Sequence, residues 1–101
     1  MAKKVAHPEG SKTLTSTKMI LVIQSGWVLV GDVRWLPDTY EYEVTDGFVI
    51  RVWGTDRGLG QLAFSGPRSE TKLDPIPITW VPHDQLIFPM KVTFEGEWKE
   101  Q

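Results

Sequence analysis

His83 and Asp84 stand next to each other, an imidazole beside a carboxylate, and chemistry in this sequence would most readily begin there. A histidine moves protons near neutral pH or binds a metal, and a carboxylate orients it for either task. A metal site needs further ligands at workable spacing, and the other histidine, His7, lies far away in a polar N-terminal stretch. Aspartate is a common turn former, so a turn beside a hydrogen-bonded histidine is the plainer account. Tyr40 offers a ring on which a nucleotide base can stack, a contact worth about 1–3 kcal/mol. The same ring can equally pack across strands against another aromatic. Glu41 and Glu43 lie two apart on one strand face, as a carboxylate pair for acid–base work would, although a solvated strand face carries the same pattern. Arg57-Gly58-Leu59-Gly60 has the glycines of a phosphate cradle without the Lys-Ser/Thr of a P-loop or a strand-to-helix setting, so a glycine-rich loop accounts for it. No serine or threonine has a base and an orienting group at hand, and there is no cysteine. The expectation is a protein that is not an enzyme and uses no metal or cofactor.

The bulk composition agrees with a binding or structural role. A chain of 101 residues forms one domain with a modest core, and 41% apolar with 24% charged residues is ordinary globular usage. Thirteen acidic residues against eleven Lys and Arg give a net charge of −2, without the concentrated basic patch that phosphate neutralisation requires. A basic start, Met1 to Lys12, is not followed by the apolar stretch of a secretory signal, and no apolar run approaches bilayer length. Together with the lack of cysteine this leads us to expect a cytoplasmic protein with no membrane partner. The lysines of that start, Lys3, Lys4 and Lys12, are accounted for by solubility.

The elements that must position these residues are short strands. Residues 1–17 read as a flexible tail. Lys18–Gln24 is an apolar, β-branched run ended by the turn dipeptide Ser25-Gly26. Trp27–Trp35 forms a second strand whose two faces are both apolar, which predicts burial on one side in a core and on the other against a neighbour. Gly31 interrupts it, the mark of a bulge, bend or close backbone approach. Leu36-Pro37-Asp38-Thr39 is a turn, Tyr40–Thr45 a half-buried strand, and Asp46-Gly47 a hairpin or bulge signal before another strand, Phe48–Trp53. Residues 54–77, with four glycines and three prolines, read as a long loop that Leu59, Leu62, Ala63 and Phe64 anchor, an added short strand among the options. Ile78–Val81 and Leu86–Phe94 are the last strands, with Pro89 placing the latter at an edge or bulge. Residues 96–101 read as a tail, and Trp27, Trp35, Trp53 and Trp80 as core or interface residues.

This layout resembles the Sm/LSm superfamily, which includes the bacterial host-factor RNA chaperone. Counted from Gly31, the first motif of that family falls on Val33, Leu36, Tyr40 and Glu41, with Tyr42 and Val44 continuing the alternation, and Ser25-Gly26 takes the place of its Asn-Gly turn. The second motif falls on Val81-Pro82-His83-Asp84-Gln85-Leu86. About half of the chain is covered. The resemblance implies an all-β, small, strongly bent antiparallel β-barrel of the SH3-like class, spanning residues 18–95 with 54–77 as an enlarged fourth loop. It also implies a homo-oligomeric ring closed by strand pairing between copies, and RNA or single-stranded nucleic acid bound near the pore by Tyr40, Glu41, His83 and Asp84. The departures bear on function. Glu41 stands where the family has the uridine-binding asparagine, Pro82 where it has the arginine, and Asp38 is one position from the usual aspartate. The rival expectation is therefore an assembly or scaffold module, viral assemblies included, that binds no nucleic acid.

Overall fold

The computed structural model describes residues 16–99, so most of the expected N-terminal tail lies outside the described residues. Six strands follow in chain order: β1 (Thr17–Ile23), β2 (Val28–Leu36), β3 (Glu41–Val52), β4 (Lys72–Ile76), β5 (Thr79–Pro82) and β6 (Leu86–Lys91). A helix, α1 (Leu59–Ser65), lies between β3 and β4. All strands belong to one antiparallel sheet in the order β4-β3-β2-β1-β6, and β5 pairs with β3 beside β4. Among the described residues no helix is long and apolar enough to cross a membrane.

The β-branched runs form strands because their side chains fit a pleated, half-buried surface. β1 and β2 pair from Thr17↔Val33 to Val22↔Val28, joined by a single 3-10 turn at Gln24–Gly26. Asp46-Gly47 does not end a strand. β3 runs through it for twelve residues, and the register against β2 shifts between Val30 and Asp32. Asp46, at φ 50°, takes the left-handed conformation that a bulge admits. Gly31 of β2 faces this bulge at very close range. A Cβ there would lie 2.7 Å from Val44 Cγ1 and 2.9 Å from the Gly47 Cα.

The sheet is curled. β5 lies at one edge and β6 at the other, four strand spacings or about 19 Å apart if the sheet were flat. Only His83–Gln85, one 3-10 turn, joins them, and four Cα steps reach about 14 Å at most. The edges must therefore approach at this corner, and Val81 of β5 and Leu86 of β6 do share one apolar cluster with Leu21, Leu29, Val33 and Val44. The curl stops short of the expected barrel: β6 pairs with β1 alone, and no described ladder joins it to β4 or β5. The 3-10 turn redirects the chain between the two edges, so β5 and β6 meet end to end and make no hairpin. What stands is an open antiparallel sheet.

Both faces of β2 are indeed buried, but its second face needs no neighbouring copy. Ile20, Val28, Val30 and Ile50 on that face pack against Leu59, Leu62 and Ala63 of α1 and against Trp98. The residues expected to anchor a loop, or to add a strand, thus form a helix with three of them on its inner side at spacing i, i+3, i+4. Gly66 ends it at φ 77°, its N–H donating to the Leu62 carbonyl at 2.8 Å. Residues 72–76 of the same expected loop form β4. Trp98, in the segment read as a C-terminal tail, is buried against Phe94 at a centroid distance of 6.2 Å. Trp27 and Trp53, expected in a core or interface, are among the exposed large apolar residues.

Glu43 corrects another expectation. It lies buried beside Arg34, its direct register partner on β2, and accepts a hydrogen bond from that guanidinium. The Trp80 indole N–H, from the facing position on β5, donates to its second oxygen at 3.1 Å. A carboxylate can be buried when both oxygens are paired in this way. Glu41, two residues earlier, is half-buried. On the exposed surface Arg51 donates to Asp74 at 2.7 Å, and this hydrogen bond, ahead of the charge itself, holds the Asp74 carboxyl below its ordinary range.

Candidate functional site

The β2–β3 turn and the corner between β5 and β6 meet at one end of the sheet. Tyr40 closes the turn by donating its N–H to the Leu36 carbonyl at 2.9 Å, and its own carbonyl accepts the His83 N–H at 3.0 Å. These bonds hold Tyr40 at φ 59°, a left-handed conformation that a bulky residue rarely adopts. Such strain persists only where surrounding contacts fix it, and it concentrates at ligand clamps and switch regions.

Rings surround this backbone junction. Trp35 contacts Tyr40 edge-on at a centroid distance of 5.1 Å, Tyr42 at 4.9 Å and His83 at 5.6 Å. Tyr40 and His83 stand 5.6 Å apart, nearly perpendicular. The Tyr42 hydroxyl and His83 Nδ1 are hydrogen-bonded at 3.1 Å. Edge-to-face contacts of this kind add about 0.5–1.5 kcal/mol each beyond burial. Together with the Tyr42 hydrogen bond they fix the imidazole as part of a packed corner. Tyr40 itself stays 64% exposed, within reach of a ligand.

A cleft of about 390 Å³ opens here, lined by Thr39, Tyr40, Pro82, His83 and Asp84. Of the four residues expected at a site, Tyr40, His83 and Asp84 therefore meet in one place. Glu41 does not line the cleft; its backbone pairs with Leu36 on one side and Pro82 on the other. Trp35 and Tyr42 were not among the expected site residues. The signal for them was aromatic residues on both sides of a short turn, which places rings across from each other once the strands pair in the observed Trp35↔Tyr42 register.

Among the described residues the two turns at this end carry acidic side chains and no Lys or Arg. No Lys or Arg occurs from residue 35 to 50 or from 73 to 90, whereas Asp38, Glu41 and Asp84 all lie in the turns or next to them. Arg34, the nearest cation in sequence, is buried with Glu43. Asp84 is exposed and makes no ion pair with a described residue. Thr39 Oγ1 is buried without a hydrogen-bond partner. Among the described residues no three His, Cys, Asp or Glu side chains gather as metal ligands.

These features define a curled, open antiparallel sheet carrying an aromatic and acidic cleft at one corner. No protein family, curated protein or solved structure matches the chain.

Proposed function

We propose that this chain is a non-enzymatic, Sm-like assembly module built on an open sheet, whose copies pair edge to edge into a homo-oligomeric ring. The observation that carries this is the pair of open edges. Among the described residues β6 offers one and β4 with β5 the other, at the two ends of the strand order. An open edge is a template for a further strand, and pairing the edge of one copy with the opposite edge of the next is a heterologous contact that closes a ring if the rotation allows. Ile87 and Phe88 on β6 are about half exposed, apolar residues that a neighbour would cover. Pro89, paired with Leu21, limits how far that ladder extends.

The expected result is that the protein sediments as a defined oligomer at micromolar concentration and that Ile87→Lys shifts it toward the monomer. Lysine on an edge strand is a natural block to strand addition. Identical sedimentation of both proteins as monomers would remove the proposal.

A second reading keeps the ring and adds RNA or single-stranded nucleic acid at Tyr40, Glu41, His83 and Asp84. The exposed ring of Tyr40 favours it, since a base can stack there. The absence of Lys and Arg from residues 35–50 and 73–90 weighs against it, because phosphate contacts supply most of such affinity. Labelled oligo-U and oligo-A titrated at low salt decide between the readings: saturable binding lost on Tyr40→Ala supports the second, and no binding removes it.

A further inference from the structure

We infer that the cleft between Tyr40 and His83-Asp84 binds a cationic side chain, the guanidinium or ammonium of a basic peptide segment. The inference goes beyond the assembly reading and does not need it, since one chain supplies the whole cleft lining.

Three observations converge on a cation. The first is the ring surface. A guanidinium or ammonium over the face of an aromatic ring is attracted by the ring quadrupole, and Tyr40 is largely exposed while edge contacts with Trp35 and His83 hold it in place. The second is charge. The Asp84 carboxylate lines the same cleft, is exposed, and has no ion-pair partner among the described residues. Asp38 and Glu41 flank Thr39-Tyr40 in sequence at the β2–β3 turn, and no Lys or Arg occurs from residue 35 to 50 or from 73 to 90. An arriving anion would meet the Asp84 carboxylate with no Lys or Arg among the residues that line the cleft, whereas an arginine would find a carboxylate to bind and a ring to lie on. The third is preorganisation. The strained φ of Tyr40 is held by two backbone hydrogen bonds and by edge contacts to Trp35 and His83, so its ring is placed before any ligand arrives.

The test uses the full chain with fluorescein-labelled hexa-arginine, hexa-glutamine as the neutral control and labelled oligo-U, followed by anisotropy at low and moderate salt. Hexa-arginine is expected to bind saturably at low salt and hexa-glutamine not at all. Tyr40→Ala should weaken binding about tenfold and Tyr40→Phe should keep it, because phenylalanine retains the ring face. Asp84→Asn should weaken it several-fold, while Glu97→Gln, which removes a surface carboxylate outside the cleft, should leave it unchanged. Melting curves of each variant confirm that the fold is intact, and Tyr40→Phe supplies the readout should Tyr40→Ala unfold. No hexa-arginine binding at low salt overturns the inference. So does an equal loss with Glu97→Gln, which would mean a diffuse acidic surface, and so does binding of oligo-U in place of the basic peptide.

Discussion

Gly31→Ala is expected to destabilise the fold by about 3 kcal/mol, at the upper end of the cost of forcing extra methyl groups into a packed interior. The added carbon would meet Val44 Cγ1 at 2.7 Å, the Gly47 Cα at 2.9 Å and the Thr45 carbonyl oxygen at 3.0 Å. A rotamer change can move the valine methyl, but the two backbone atoms belong to the β3 bulge and can yield only if the bulge opens. Val44→Ala in the same chain should therefore recover a fraction of the loss and never all of it. Equilibrium urea unfolding at one fixed protein concentration checks this, with a companion fall in melting midpoint of roughly 10–20 °C. A Gly31→Ala protein as stable as the parent would mean that β2 and β3 do not approach closely at the bulge.

Glu43→Ala should cost more, about 3–5 kcal/mol, because it leaves the Arg34 guanidinium buried without its carboxylate. It also removes the acceptor of the Trp80 indole N–H. Replacing Arg34 and Glu43 together, with methionine and leucine, should recover most of that stability, as apolar residues of similar volume need no counter-charge. A double variant as unstable as Glu43→Ala would show that the row across β2, β3 and β5 depends on the ion pair itself. A loss under about 1 kcal/mol for Glu43→Ala, the range of a solvent-exposed pair, would show that water reaches the site.

Much of the sheet was legible because strand signals are local. The β-branched run before Ser25-Gly26 and the turn at Pro37 each placed an element to within a residue or two of where it lies, and the last strand starts at Leu86 as expected but ends three residues early, at Lys91. Gly31 was legible as a bulge, a bend or a close approach for the same reason, and the structure shows the close approach, opposite a bulge in β3. What covers each face was not legible. A strand apolar on both sides reads alike whether a second copy or a helix of the same chain buries it, and here α1 and Trp98 do so. The helix escaped because seven residues between glycines give two turns at most, and Leu59, Leu62 and Ala63 are too few to separate a helical period from a strand.

The cleft was half legible. Tyr40, His83 and Asp84 were singled out and do meet, but the rings behind them depend on register, which pairs Trp35 with Tyr42 and brings β5 alongside both. The polarity of the site emerged only from the pairing: the turns that carry Asp38 and Asp84 meet because β5 lies alongside the start of β3. Glu43 shows the opposite case. Its alternation with Tyr42 and Val44 is that of an exposed residue, and partners on two other strands, Arg34 on β2 and Trp80 on β5, allow its burial.

Assembly through the open edges is the central claim, and the mass of the particle in solution tests it most directly. Light scattering on the eluting peak at micromolar concentration is predicted to give a single integer multiple of the 11.5 kDa chain, three or more, as a closed ring requires. A mass of one chain under those conditions would contradict the account.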